Sequence, residues 1–299
     1  MRAFFLGTVA ACRAAPGPVA PAPAAQNPSP MVETSRPHER VDTLDVRGTH
    51  TIITGLLTRP VDVFVTQGTR VDQPVTLLVH FMGAYGPVAH AVSQLGPGYV
   101  LAFVYLGAGG SAYERPLLDT LVFPRLIARV AEEIRVPRFG KVYISGFSAG
   151  YGAARAILSN DRLAGLVAGV LLLDGMHAGY VPDRTVLSAG GSIDTMNMTS
   201  FGKFARRAVR GETRFVITHS EIFPGTFAST TETADYLIAS LGLKRARVLR
   251  DGPLGMQQTS DVVAGGFRVL GFAGNAGPDH IDHLHGVYAF LGLLVRDFP

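Results

Sequence analysis

Apolar residues along this chain fall into two kinds of run. β-Branched and aliphatic blocks occupy residues 75–80, 99–106, 141–147, 166–174, 214–218 and 267–272. Blocks of this length, bounded by Gly, Pro or polar residues and apolar at successive positions, predict strands buried on both faces. Earlier, residues 42–46, 50–58 and 61–66 alternate or run β-branched and predict two or three antiparallel strands. Between the strands the period changes. Residues 117–135 place Leu118, Leu121, Val122, Leu126, Val130 and Ile134 at helical spacing, with Pro124 kinking or delaying the helix. Residues 234–241 and 282–298 predict further helices. Strands alternating with helices imply an α/β protein, with a mostly parallel central sheet covered by helices on both faces.

The beginning of the chain departs from this pattern. Residues 1–12 carry Arg2 and then an apolar run, too short to span a bilayer, that looks like the core of an export signal. Val9-Ala10-Ala11-Cys12 resembles the bacterial lipobox, in which the cysteine is lipidated. A cleaved, unlipidated export signal and a wrongly placed start are the alternatives. Residues 13–40, rich in Ala and Pro, read as a semi-rigid tether. The expected organisation is therefore a signal over 1–12, a tether over 13–40 and a catalytic domain over 41–299. The expected location is outside the cytoplasm, either membrane-anchored through Cys12 or periplasmic or extracellular.

Composition narrows the function classes. The 299 residues are 47% hydrophobic and 17% charged, which suits a globular core and argues against disorder. The net charge of +4 comes from scattered arginines rather than a basic stripe, so nucleic acid is not an expected partner. A single cysteine forbids an internal disulfide.

Residues 141–150 read Lys-Val-Tyr-Ile-Ser-Gly-Phe-Ser-Ala-Gly, and a small-residue helix pattern follows from Tyr151. With 35 glycines in the chain, Gly-x-Ser-x-Gly alone says little. In the order strand, sharp turn, helix it is a nucleophile elbow: Gly146 and Gly150 remove clashes around a strained turn whose tip is Ser148. From about residue 41 onward the chain thereby resembles the α/β-hydrolase superfamily. That resemblance implies the α/β-hydrolase fold, a serine nucleophile, and an acid and a histidine following it in that order, each at a strand's C-terminal end. It implies no cofactor.

Candidates stand in that order. The acid is Asp174, which ends the apolar run 170–173, or its rival Glu221, which follows the next strand; Asp174 is preferred. The base is His280 or His283 in Asp-His-Ile-Asp-His-Leu-His, with His285 on a solvent-facing side. The oxyanion donors are the backbone N–H of Ala149 and that of Phe81 or Met82, because His80-Phe81-Met82-Gly83 looks like a variant of the family's His-Gly-Gly-Gly segment. Met176, Met196, Met198, Met256, Phe223 and Phe227 could line an acyl pocket, and residues 188–200 could form a loop over it.

These features imply a serine hydrolase that cleaves an ester or amide bond of a small or acylated substrate through an acyl-enzyme. Two alternatives remain at this level. One is a tethered binding protein that keeps the fold without catalysis. The other is a hydrolase with a metal held by the C-terminal histidines, helped by His177 and His219.

Overall fold

The computed structural model describes residues 45–295. The signal, lipobox and tether readings lie outside the described residues, as do most of residues 42–46.

Ten strands form one sheet in the spatial order β1-β2-β4-β3-β5-β6-β9-β12-β11-β10. In sequence they are β1 (Gly48–Ile53), β2 (Val61–Thr66), β3 (Val75–Phe81), β4 (Tyr99–Val104), β5 (Phe139–Phe147), β6 (Gly169–Leu173), β9 (Arg214–His219), β10 (Ala246–Asp251), β11 (Gln257–Ala264) and β12 (Phe267–Phe272). The six central strands, β4-β3-β5-β6-β9-β12, are mutually parallel. Antiparallel strands β1–β2 and β10–β11 extend the two edges. Every residue of β6 is buried, which requires cover on both faces.

Two helix layers give that cover. In one, α1 (Tyr85–Ser93) packs against α9 (Val287–Val295). In the other, α4 (Tyr151–Ser159) is central and touches α2 (Gly110–Leu117), α5 (Asp161–Leu166) and α6 (Thr195–Val209). The helix α3 (Val122–Ile134) takes Pro124 into its first turn, where a missing N–H removes no hydrogen bond. The helix expected over 117–135 is thus present but starts only at Val122, two residues before Pro124. A capping box at Ser229, closed by Glu232, starts α7 (Thr230–Ser240). Among the described residues no helix is long and apolar enough to cross a membrane.

Two expectations fail locally. The C-terminal helix is broken into α8 (Gly277–His285) and α9 at Gly286, where a Cβ would meet Pro253 Cγ at 2.9 Å. And residues 188–200 are not a loop throughout. A two-residue strand β8 (Ser192–Ile193) pairs with β7 (Tyr180–Val181), and the Asp194 side chain then caps α6 by accepting from Met196 N–H at 2.9 Å.

Candidate active site

The parallel strands of the sheet end on one edge, and three strand ends there converge. β5 runs directly into a single 3-10 turn, Ser148–Gly150, and then α4. Ser148 has φ 47°, a left-handed conformation costly for a residue with a Cβ. A Cβ on Gly146 would lie 2.8 Å from Gly150 C, and one on Gly150 would overlap Phe81 O. A third glycine, Gly175, presses on the turn from the side: its Cβ would overlap the Ser148 backbone. The serine is therefore held at the tip by contacts that tolerate only hydrogen at three positions.

Asp174 follows β6 and is also left-handed, at φ 40°. Its buried carboxylate accepts four hydrogen bonds. Oδ1 takes Ser220 N–H at 2.8 Å and Thr230 Oγ1 at 2.6 Å, and Oδ2 takes Ser220 Oγ at 2.7 Å and His280 Nδ1 at 2.7 Å. Burial alone would raise this carboxyl. At the low pH where this carboxyl titrates, the protonated imidazole of His283, with the hydrogen bonds of His280 and Thr230, outweighs burial and holds it well below the usual carboxylate range. Because a carboxylate only accepts, His280 Nδ1 carries the proton and Nε2 presents its lone pair. That nitrogen is buried and has no hydrogen-bond partner among the described residues. The His280 ring lies against Phe147, the residue before the serine, with centroids 4.6 Å apart.

The other candidates separate clearly. Glu221 is exposed, and its backbone N–H is bonded to Gly274 O at 2.8 Å; it is not among the groups around His280. His283 is buried beside Thr218, Nδ1 to Oγ1 at 2.7 Å, stacked on Phe290 and edge-on to Phe272. Burial lowers it to about 4, so its ring is neutral. His285 is half-buried.

The oxyanion candidates need correction. Met82 N–H donates to Val104 O at 3.0 Å and is not available. Phe81 is the last residue of β3, in register with Val104 and Gly146, so its N–H belongs to the sheet ladder. Ala149 keeps its place at the start of the elbow helix, where backbone N–H groups lack intrahelical acceptors. The turn after β3 is shaped instead by His80. Its Nε2–H donates to Met82 O at 2.8 Å, while Nδ1 accepts from Ser145 Oγ at 2.6 Å. Burial lowers His80 to about 4, and the ring braces Met82 at φ 73°.

A pocket of about 470 Å³ opens beside Ser148. Met82, Ala149, Tyr151, His177, Asn197 and Phe227 contribute to its wall. Of the apolar residues expected around an acyl group, only Phe227 lines it; Met198 is in the core and Met196 is 78% exposed. Tyr151, Arg155 and Asn197 gave no sequence signal, since nothing in their spacing marks the helix faces that meet here. Arg155 is held by Glu114 through two bonds, 2.9 and 2.6 Å, and lies 5.1 Å over the Tyr151 ring. His219 is occupied by Arg245, Ser220 O and Thr231. Among the described residues no three or more His, Cys, Asp or Glu side chains are grouped to hold a metal ion.

No protein-family model matches the chain, and no curated protein matches it. Among solved structures it is similar to an acetyl xylan esterase from Aspergillus awamori, at 13% identity and TM-score 0.47, covering 81% of this chain and 100% of that one. It is also similar to a thioesterase domain from the curacin biosynthetic pathway, at 12% identity and TM-score 0.39, covering 82% and 98%. A fungal esterase from Rhizomucor miehei is similar at 14% identity and TM-score 0.43, covering 84% of each chain. In its sheet order, its two helix layers and the strained serine between β5 and α4, the protein has the α/β-hydrolase fold that residues 141–150 implied.

Proposed function

We propose that the protein is a serine hydrolase cleaving an ester or amide bond through an acyl-enzyme on Ser148. One observation carries this reading. A buried imidazole, His280, is hydrogen-bonded to a buried carboxylate through one nitrogen, keeps the other without a partner among the described residues, and packs its ring on Phe147, the residue before a strained serine. A serine hydroxyl is a weak nucleophile at neutral pH and needs a nearby base whose tautomer is fixed.

In the proposed reaction Ser148 Oγ attacks the substrate carbonyl while its proton passes to His280 Nε2. The Asp174 carboxylate stabilises the imidazolium and stays ionised, as its hydrogen bonds favour. The Ala149 N–H stabilises the oxyanion. His280 then returns the proton to the leaving alcohol or amine. Water, deprotonated by the same nitrogen, releases the acid and regenerates Ser148. The short bond between Ser148 and His280 forms with substrate bound, as is common for catalytic hydrogen bonds.

The test is covalent labelling with a fluorophosphonate probe, together with hydrolysis of a chromogenic short-chain ester. The parent protein labels and turns over, and Ser148→Ala does neither while keeping its circular dichroism spectrum. Full activity in Ser148→Ala would overturn the reading. A folded, unlabelled and inactive parent would favour the binding-protein alternative.

A further inference from the structure

His177 lines the pocket beside Ser148 and takes no part in the Asp174–His280 couple. Its side chain is nearly inaccessible, at 5% exposure. Nδ1 lies 3.0 Å from Ala228 O. A carbonyl only accepts, so Nδ1 carries the proton and Nε2 is left with a lone pair. Burial lowers the ring to about 4, which keeps it neutral at physiological pH and makes Nε2 an acceptor only. Edge-on contacts with Tyr151 and Phe227, at 5.3 and 4.9 Å between centroids, fix the ring plane. Yet Nε2 is buried with no hydrogen-bond partner among the described residues.

A buried acceptor without a donor is rare in folded proteins and unfavourable. His177 is one of the residues lining a cavity that reaches the proposed nucleophile, and a group filling that cavity is the donor this acceptor calls for. Asn197 narrows its chemistry. Its Oδ1 accepts from Gly179 N–H at 2.9 Å, which assigns the amide orientation and leaves Nδ2 as the donor end of a second pocket-lining side chain. A group that can both donate and accept matches this pair, whereas an alkyl group matches neither. Tyr151 and Phe227 supply apolar surface around it.

We propose that this pocket selects a substrate bearing a hydroxyl group close to the scissile carbonyl, with His177 Nε2 accepting the hydroxyl proton. This rests on the hydrolase reading of Ser148 and deepens it. The hydroxyl can lie on the acyl group or on the alcohol, and the chemistry of recognition is the same in both. A site built to accept such a hydrogen bond discriminates against the isostere in which the hydroxyl is replaced by methyl, because the lone pair is then buried unpaired.

The experiment measures kcat/KM of the full chain on two matched pairs. For the acyl side these are p-nitrophenyl 3-hydroxybutyrate and p-nitrophenyl 3-methylbutyrate. For the alcohol side they are 2-hydroxyethyl butyrate and propyl butyrate. The hydroxylated member of one pair should be preferred by at least about tenfold, and the pair that shows it identifies the side bound in the pocket. In His177→Leu the preference should fall to about twofold or less, and in His177→Gln, which keeps an acceptor, part of it should return. Equal rates within both pairs for the parent would overturn the proposal, as would an undiminished preference in a folded His177→Leu. The parent measurement stands even if His177→Leu fails to fold. Turnover at equal rates within both pairs defeats only the hydroxyl pocket, whereas absence of turnover together with absence of probe labelling defeats the hydrolase reading itself.

Discussion

His280 Nδ1 and Asp174 Oδ2 lie 2.7 Å apart across 106 residues of sequence, with both side chains buried. If this pair orients the base, removing the charge while keeping the shape should be felt in turnover rather than in binding. Asp174→Asn is expected to lower kcat by roughly 10³–10⁴ with a small change in KM. Glu221→Gln, at an exposed position, should stay near the parent. Steady-state kinetics on a chromogenic ester checks both, and the opposite pattern would move the acid to Glu221.

The two inward histidines should separate in the same assay. His280→Gln is expected to lower kcat by at least roughly 10³ without unfolding the protein. His283→Gln removes a buried partner of Thr218 and should instead cost about 1–3 kcal/mol of stability, with turnover per folded molecule retained within about tenfold. Urea unfolding beside kcat measurements distinguishes the two outcomes.

Gly175→Ala tests the packing around the elbow. The added methyl would overlap the Ser148 backbone, so both stability and probe labelling should fall. Gly165→Ala is the control. Gly165 lies in α5 with open space around its Cα, and alanine there should stabilise by about 0.5–1 kcal/mol while leaving labelling unchanged. Thermal melts of the two variants should move in opposite directions.

Acid should unfold the protein through its histidines. Burial lowers His80, His177, His219 and His283 each to about 4, against 6.5 for an ordinary histidine. Between those values the unfolded chain binds more protons than the folded one. The stability from keeping these rings neutral is therefore complete above 6.5 and is lost as pH falls towards about 4. Melting temperatures taken from pH 7.5 to 4.5 should drop steeply below 6.5. A flat profile across that range would mean the rings protonate in the folded state without penalty.

The parallel strands and the elbow were legible because each is a local pattern. Residues 267–272 were bounded correctly, and Gly146 and Gly150 announced the turn. The hairpin β10–β11 was not legible. β10 is an exposed edge whose residues, Ala-Arg-Val-Leu-Arg-Asp, bury no regular face, so no alternation marks it. Residues 188–200 looked like a loop because Gly, Met and Thr are frequent there, while most of the core contacts that hold α6 come after Met198, from Phe201, Phe204 and Ala205. His280 and His283, three residues apart on one helix face, could not be told apart without knowing which meets Asp174. Met82 failed as an oxyanion donor through a backbone bond to Val104, and no side-chain pattern reveals a neighbour 22 residues away.

The order of the proposed catalytic groups along the chain bears on when the enzyme becomes active. During synthesis the pocket wall, Ser148 and Asp174 with its Ser220 and Thr230 donors all emerge before His280, which arrives on α8 after the last strand of the sheet. On the proposed mechanism, a ribosome-bound chain that has formed most of the sheet would still lack its base and would be silent until β12 has joined β9 and α8 has docked. The first turnover would thus report the docking of α8.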